Sequence, residues 1–572
     1  WAHEIDLIGE PPRIRLRQKL QKSASMRGRP VNREEFERIL MAIPKVRPHA
    51  LLVLPFAPLP ALLLALFGTR GETTIAFDLL LEVRIGLDDV SALFVGTAAF
   101  LWTLAGIYAT AYLRGTRKPA TFAGFWCLTL AGNLGVFLAQ DAVTFYASFT
   151  VVSLPAYILI VHEATSKALR AGRIYIILAI VGETALLSGL LIAASEASTL
   201  MIGDVRSAIA SSAERDLVLA LMLMGFGIKA GLVPLHMWLP LAHPEAPTPA
   251  SAVLSGAIVK AGIFGLVQFF AAGAGMGGWS VGLMIAGLFG AYYGVFVGLT
   301  QSNPKVILAY STVSQMGLII AALGAGLVSE EPAIVVALIA LYAAHHGLAK
   351  GALFLSVGVV GHTARARSGL ILAAVALVAL SVAGLPFTGG AAAKAALKSA
   401  FYGPASLAVT ASAAGTALLL LRFWLALRAQ AVGVSDARPE SRLTVPAFGC
   451  GAAALLLPWA LLPLTGLEPS YVNSPANLWS TSWPVLAAVG VGLAAYFLRP
   501  TPPSIPPGDL IAVLERLQRL PPPRLPAFSV ALPNRSAVLH NVLAQTERVL
   551  VEWSVAGLLL LGLVIGFTLL LS

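Results

Sequence analysis

Apolar stretches of about twenty residues recur along the chain from residue 49 to its last residue. A helix of that length crosses the ~30 Å hydrocarbon core of a bilayer. The pattern predicts about fifteen spans, with 216–246 and 391–427 each counted as one broken crossing. The others are 49–67, 91–113, 119–139, 142–161, 174–195, 247–272, 279–300, 306–327, 332–357, 369–387, 443–467, 483–498 and 550–572. We therefore predict an all-α, polytopic membrane protein.

Composition supports the same fold class. The 572 residues are 57% hydrophobic and 12% charged, whereas soluble domains are about a quarter charged. The two cysteines, Cys127 and Cys450, lie far apart in apolar segments, which excludes a Cys-rich metal or iron–sulfur site. No Walker A loop or dinucleotide fingerprint is present. We expect no cofactor, and no ATP hydrolysis or electron transfer by this chain alone.

The Lys and Arg residues are distributed unevenly between the two sides of the membrane. The net charge is +11, and most of the 39 Lys and Arg residues fall in tails and loops that the spans place on one side. Basic loops mark the cytoplasmic side of membrane proteins. The distribution predicts a cytoplasmic N-terminus in a bacterial inner membrane, and it argues against a nucleic-acid partner.

Several ionisable residues lie inside the apolar spans. A charged group at the centre of the bilayer costs roughly 2.5–3.5 kcal/mol on insertion scales, so such residues are functional candidates. A lysine buried without a fixed partner exchanges protons near neutral pH, because desolvation disfavours its charged form. The candidates for proton transfer are Lys229, Lys260, His345, His346, Lys350, Lys394 and Lys398, with His236 and His243 as secondary candidates.

Helix-breaking residues flank two of these lysine positions. Lys229 is followed by Gly231 and Pro234, and Gly384-Leu385-Pro386 precedes Lys394 and Lys398. Proline interrupts a helix, and broken backbone at membrane depth must face protein or a watery cavity. Two lysine-bearing breaks are typical of the paired repeats of transporters.

The spacing of the candidates predicts two local pairs. His346 and Lys350 are four residues apart and share one helix face, and so do Lys394 and Lys398. Glu183, in the middle of its span, is the natural counter-charge for one of the lysines. We predict that the lysines form one hydrated axis near the middle of the membrane.

The motifs around these residues resemble a known family. Gly227-Ile228-Lys229-Ala230-Gly231, Pro234-Leu235-His236-Met237-Trp238-Leu239-Pro240 and Ala246-Pro247-Thr248-Pro249 look like the core of the antiporter-like subunits of respiratory complex I, of Mrp antiporters and of membrane-bound hydrogenase complexes. The resemblance extends from about Ile85 to Arg428. It implies two inverted five-helix repeats, each forming half of a proton channel.

The charge pattern and the spans predict a division of the chain, and the resemblance implies the two repeats within it. Residues 1–48 are a basic cytoplasmic tail, 49–118 the first spans, 119–272 the first half-channel repeat and 279–428 the second. Residues 429–498 hold further spans, 499–549 are a Pro-rich cytoplasmic segment with a short amphipathic helix, and 550–572 are the last span.

The family's functional positions fall on the candidate residues. Lys229 resembles the central lysine of the first half-channel, Lys260 the connecting lysine, His346 and Lys350 the central pair of the second, and Lys394 the terminal lysine. The family usually pairs the first lysine with a glutamate, for which Thr150 stands here. We expect Glu183 to replace it.

The resemblance predicts a proton-translocating subunit that works with other membrane or peripheral subunits. Two alternatives share the same lysines: an Mrp-type sodium/proton antiporter subunit, and the proton-conducting partner of an inorganic-carbon accumulation complex with a carbonic-anhydrase-like zinc protein. A membrane scaffold with decayed channels is a third, because Thr150 carries no charge.

Overall fold

The computed structural model describes residues 47–75, 83–116, 118–270, 276–364, 368–430, 440–498, 505–508 and 510–512. Within these ranges, twelve helical segments are long and apolar enough to cross a membrane. The protein is therefore a multi-pass integral membrane protein built of α-helices, as the hydrophobic pattern predicts.

The chain forms twenty α-helices and one β-hairpin within the described ranges. The hairpin pairs β1 (Gly71–Ile75) with β2 (Val83–Leu87). The helices are α1 (Leu59–Phe67), α2 (Asp89–Tyr112), α3 (Pro119–Leu138), α4 (Ala142–Ser153), α5 (Ala156–Ile160), α6 (Ser166–Glu196), α7 (Ile202–Ser211), α8 (Arg215–Ala230), α9 (Trp238–Glu245), α10 (Thr248–Val253), α11 (Val259–Phe269), α12 (Gly277–Leu299), α13 (Pro304–Gly326), α14 (Pro332–Gly361), α15 (Gly369–Ala383), α16 (Gly389–Lys398), α17 (Gly403–Gln430), α18 (Ser441–Leu461), α19 (Pro469–Val472) and α20 (Pro475–Leu498).

Loop contacts define two ends of the helical bundle. At the hairpin end, Asp141 pairs with Met201 in an isolated β-bridge, and the Trp279 indole donates to Asp216 at 2.9 Å. At the opposite end, the Lys305 amine donates to the carbonyl of Ala246 at 2.7 Å. The long helices run alternately between these two ends.

Two crossings are broken near their middle. The first consists of α8 and α9, and the second of α15 and α16. The first helix of each pair ends at a glycine in the left-handed region, Gly231 (φ 84°) and Gly384 (φ 98°), which residues with a Cβ adopt only with strain. Side chains span both breaks: the Trp238 indole donates to the carbonyl of Ile228 at 2.7 Å, and the Ser381 hydroxyl accepts from the Gly390 amide at 3.1 Å.

The structure divides two of the predicted spans differently. Residues 391–427 contain the end of the second broken crossing and a separate long helix, α17, because the chain turns between Lys398 and Gly403. Residues 49–67 contain a 3₁₀ helix, Arg47–Val53, and the nine-residue α1, which alone is shorter than the ~30 Å core. The span predicted at 550–572 and most of the predicted cytoplasmic segments 1–48 and 499–549 lie outside the described residues.

The centre of the bundle is formed by two helical segments. The most apolar windows of Thr248–Phe269 and Pro304–Gly326 are completely buried, whereas that of Pro475–Ala495 is 17% buried. Thr248–Phe269 includes a π-helical turn, Leu254–Ile258, between α10 and α11. These central segments, together with α14, carry many of the buried amines and imidazoles of the candidate site.

Glycines allow α12 and α13 to pack with their backbones in contact. A Cβ on Gly287 would lie 2.5 Å from the carbonyl oxygen of Gly317 and 2.5 Å from the amide nitrogen of Ala321. Small residues that allow close backbone approach are typical of helix interfaces in membranes. The contact fixes α13, which lies next to the candidate site.

Replacing Gly287 with alanine is therefore expected to destabilise the protein by about 1–3 kcal/mol, because the added methyl group meets rigid backbone atoms. The thermal unfolding midpoint of the detergent-solubilised protein measures the effect. Gly282 is the matched control, since it lies on the same helix with open space around its Cβ position. Equal midpoints for Gly287→Ala and Gly282→Ala would contradict the proposed close contact.

Candidate functional site

All the residues singled out from the sequence lie in described parts of the structure, and most of them form three clusters inside the bundle. The first cluster lies between α4, α6 and α8, the second between the α10–α11 segment, α13 and α14, and the third between α14 and the second broken crossing. Of the residues predicted from sequence, the first cluster contains Lys229 and Glu183. The second contains Lys260, His346, Lys350 and His243, and the third contains His345, Lys394 and Lys398.

Lys229 lies at the end of α8, beside the first break. Its side chain is buried, and its amine donates a hydrogen bond to the Ser153 hydroxyl. The amine also lies 5.2 Å from the centre of the Phe149 ring and 5.8 Å from that of Tyr175. The aromatic faces stabilise its positive charge. The Tyr175 hydroxyl donates to the carbonyl of Ser153 at 2.9 Å, which fixes α4 against α6.

Glu183 is the carboxylate that acts electrostatically on Lys229. It is buried on α6, and its Oε1 has no hydrogen-bond partner among the described residues. The hydroxyls of Ser153 and Thr150, one turn apart on α4, also interact with it. The two charged groups form no ion pair within 4.0 Å in the described structure, and the Ser153 hydroxyl, which accepts from Lys229 and donates to the carbonyl of Phe149 at 2.8 Å, lies near both. The Thr150 position, where the family usually has glutamate, thus faces the same carboxylate.

Lys260 is the centre of the second cluster. Its amine donates to the carbonyl of Ser255 at 2.6 Å and lies 2.8 Å from His346 Nδ1. The carbonyl of Ser255 is available because it belongs to the π-helical turn that precedes α11. Lys260 and His346 are 86 residues apart in the sequence, but the amine and the imidazole are within hydrogen-bond distance. A proton can pass directly between such groups.

Lys350 lies one helical turn beyond His346 on α14. It is completely buried, and its amine donates to the carbonyl of Leu308 on α13 at 3.0 Å. It acts electrostatically on both His346 and His243. Lys350 and His346 therefore share one face of α14, as their spacing predicts, and both face the second cluster.

A branch leads from the second cluster to the opposite end of the bundle. His243 is completely buried, stacks on Phe354 with ring centres 4.6 Å apart, and has no hydrogen-bond partner for either ring nitrogen among the described residues. Lys260, Lys350 and Lys305 all act on it electrostatically. Lys305 in turn interacts with two carboxylates at that end, Glu245 and Glu163.

The third cluster connects α14 to the second break. His345 Nε2 lies 3.2 Å from the Ser381 hydroxyl, and Lys394 acts electrostatically on His345. The Lys394 amine is buried without a hydrogen-bond partner among the described residues. Lys394 and Lys398 line a cavity of about 30 Å³, room for about two water molecules. Water in this cavity can connect the two amines.

His236, the other secondary candidate, lies apart from these clusters. Its ring contacts the rings of Tyr293 and Tyr310, with centres 5.2 Å and 6.1 Å away. It is completely buried in the 3₁₀ turn of the first break. The structure places it as a packing residue next to the broken helix, and its role in proton transfer stays a prediction.

The sequence did not indicate several members of the site. Ser153 is one of many hydroxyl residues in the spans, and Lys305 directly follows Asn303-Pro304, just before the span predicted at 306–327. A further polar group lies beside the third cluster: the Tyr342 hydroxyl donates to Gln315 at 2.5 Å, and Gln315 donates to Thr416 at 3.1 Å. Among these positions only Tyr342 has a sequence signal, because it precedes His346 by four residues on the same helix.

The side chains of the three clusters are suited to carrying protons. Amines, imidazoles and hydroxyls are groups that accept and release protons or orient water. Within the described ranges, no group of three or more His, Cys, Asp or Glu side chains is placed to hold a metal ion.

The sequence of residues 139–419 matches the family described as NADH:quinone oxidoreductase/Mrp antiporter, TM. Hydrogenase-4 component B of Escherichia coli (strain K12) is 31% identical over 291 residues, which are 49% of this chain and 43% of that protein. An NAD(P)H-quinone oxidoreductase chain 4 of Picosynechococcus sp. is 32% identical over 250 residues, 42% of this chain and 45% of that protein. The chain thus spans less than half the length of these relatives.

A solved structure shares the fold. A chain of the Mrp complex from Dietzia sp. DQ12-45-1b superposes with a TM-score of 0.65 at 22% identity, covering 79% of this chain and 96% of that chain. The segment that matches the family, 139–419, contains every buried amine and imidazole of the three clusters and Glu183. This segment, just under half of the chain, is the part that is similar to the NADH:quinone oxidoreductase/Mrp antiporter family of membrane proteins.

Proposed function

We propose that this protein is the proton-translocating membrane subunit of a larger energy-coupling complex. The observation that carries the proposal is the 2.8 Å contact between the Lys260 amine and His346 Nδ1. It joins two segments that the sequence separates by 86 residues, and His345 of the third cluster directly precedes His346 on α14. Buried groups held at hydrogen-bond distance are positioned for proton transfer.

The proton path runs from the first helix break, beside Lys229, to the second, beside Lys394. Residues 119–272 and 279–428 act as the two half-channels, with Lys229 in the first and Lys350 in the second. Lys260 connects them, and His345 passes protons on to Lys394 and Lys398. The branch through His243 and Lys305 gives the path access to the end of the bundle that carries Glu163 and Glu245.

The charge of the path favours protons over sodium ions. From Lys260 to Lys398, the ionisable members are all amines and imidazoles. Among the described residues, the buried carboxylates are Asp141, which caps α4, and Glu183 of the first cluster. A hard metal cation requires several oxygen ligands, which protonated amines cannot supply. A basic path therefore repels sodium but can relay protons.

The energy source and the orientation are also part of the proposal. Neither a redox group nor a nucleotide site is expected in this chain, so other subunits supply the driving reaction. The relatives named above are components of hydrogenase and quinone oxidoreductase systems. The basic loops predict a bacterial inner membrane with the N-terminus in the cytoplasm. The hairpin end of the bundle then faces outwards.

Proton transport in everted membrane vesicles tests the function. Vesicles that contain the chain with its co-purifying subunits are expected to move protons when the complex is driven, with equal rates in sodium-containing and sodium-free buffer. The identity of the co-purified subunits distinguishes a redox complex, an Mrp-type antiporter and a complex with a carbonic-anhydrase-like zinc protein. Strict dependence on sodium would reject the proton-only path in favour of the antiporter.

Glu183 is expected to replace the missing glutamate of the first half-channel. Glu183→Gln removes the carboxylate that acts on Lys229 and should lower the transport rate about tenfold or more, a smaller loss than is typical when a group that itself transfers the proton is removed. Thr150→Ala removes a hydroxyl near the same carboxylate and should leave the rate within about twofold, since it removes no charge. A rate that falls with Thr150→Ala and not with Glu183→Gln would show that Glu183 has no such role.

A further inference from the structure

A large cavity opens at the hairpin end of the bundle, outside the three clusters. Its volume is about 560 Å³, and its walls come from α12, from the loop between α13 and α14, from α14 and from the turn between α16 and α17. We call it the outer vestibule and define it by Glu330, Glu331, Leu338, Ser399 and Ala405. Both glutamates are exposed.

The outer vestibule adjoins the small cavity of Lys394 and Lys398. On each of three helices, a residue of the outer vestibule lies next to, or one turn from, a residue that lines the small cavity. The pairs are Leu338 with Tyr342 on α14, Ser399 with Lys398 at the end of α16, and Ala405 with Val409 on α17. The two cavities therefore lie side by side, one at the surface and one at the third cluster.

We propose that the outer vestibule is a charge-selective mouth of the proton path, which attracts cations to its rim and admits only protons to its floor. This inference rests on the proposed function and adds the residues that determine its specificity. Glu330 and Glu331 form the rim, and Lys398 and Lys394 form the floor.

The rim and the floor act on a cation in opposite ways. Two carboxylates beside apolar walls focus a negative potential, which raises the local concentration of cations. Beyond Ser399, the basic groups that line the small cavity are Lys398 and Lys394. When protonated, they repel a metal cation that has reached the rim. A proton crosses the same boundary by exchange between water and an amine.

Thiol labelling tests the mouth without any measurement of transport. Ser399→Cys is introduced into the full chain in intact cells, and two membrane-impermeant methanethiosulfonate reagents of similar size, one cationic and one anionic, are added from outside. We expect the cationic reagent to react about tenfold faster with Cys at this position. The unmodified chain measures the background from Cys127 and Cys450.

The role of the rim is tested in the same assay. Glu330→Gln with Glu331→Gln should make the two labelling rates of Ser399→Cys about equal, whereas Glu214→Gln with Glu196→Gln, two other glutamates at the hairpin end, should leave the tenfold preference unchanged. Absence of labelling from outside, or labelling only from the cytoplasmic side, would overturn the vestibule as an outer mouth. A preference that survives loss of both rim carboxylates would overturn their role.

The labelling result is independent of the proposed function. A vestibule that is open and cation-selective in a complex that moves no protons would refute the function and leave the selective cavity in place. Proton transport with a closed vestibule would refute the mouth alone. A third variant, Lys398→Gln, separates the floor from the rim: proton transport should then become inhibited by external sodium, which the unmodified chain should tolerate.

Discussion

Replacing Lys260 with methionine is expected to reduce proton transport by about 100-fold, because this amine is the contact between the two halves of the path. Methionine fills similar space and cannot carry a proton. The change leaves His346 Nδ1 and the Ser255 carbonyl without their present partner. The rate of proton uptake by everted vesicles measures the effect, with the amount of assembled complex determined for each sample.

Lys167→Met is the matched control for this variant. Lys167 is exposed at the start of α6, so the same substitution there removes a lysine outside the path. It should retain the full transport rate. If Lys260→Met assembled normally and transported as fast as Lys167→Met, the connection between the half-channels would have to run elsewhere.

Lys350→Arg should abolish transport almost as completely, although it preserves the positive charge. Arginine stays protonated throughout the physiological range, so it cannot release a proton to a neighbour. The amine of Lys350 is completely buried and donates to the Leu308 carbonyl, a bond that a guanidinium can also make. If Lys350 served only as a structural charge, the arginine variant would therefore keep proton transport, whereas if it relays protons, the variant would lose it.

Three variants together distinguish these roles. Lys350→Met should lose proton transport whether Lys350 is a relay or a structural charge, and Lys167→Arg should keep it in both cases. Lys350→Arg is therefore the variant that distinguishes the two roles. Assembly is checked by co-purification of the other subunits. Full proton transport by assembled Lys350→Arg would identify this lysine as a fixed structural charge and would return the proton transfer of the second half-channel to His346 and His345.

The architecture was largely predictable because apolar length and helix breakers are local signals. The glycine–proline motif after Lys229 and the one before Lys394 both mark real breaks, and each helix ends at the glycine. The division of residues 391–427 was not predictable to the same degree. Tyr402-Gly403-Pro404 signals a turn, but the apolar composition continues on both sides of it, and hydropathy alone does not place a loop there.

The contacts of the site depend on which helices are neighbours, and the spacing of residues along the sequence does not predict this. His346 and Lys350 share a face because they are one turn apart, and the structure has them so. The partner of His346, Lys260, comes from another segment and is set by packing of α14 against the π-helical turn. In the same way, Glu183 was predictable as a buried charge, but the interposed Ser153 was not.

The π-helical turn at Leu254–Ile258 has a consequence for how this protein can change over time. A π turn amounts to one inserted residue, and each residue added to a helix rotates the later side chains by about 100° around its axis. Lys260 comes two residues after the turn, so the direction of its side chain, toward His346, depends on that extra residue. Loss of a single apolar residue, such as Ala257, would turn the lysine away while every charged residue stayed in the gene. The placement of Lys260 therefore depends on the number of residues that precede it as well as on its own chemistry.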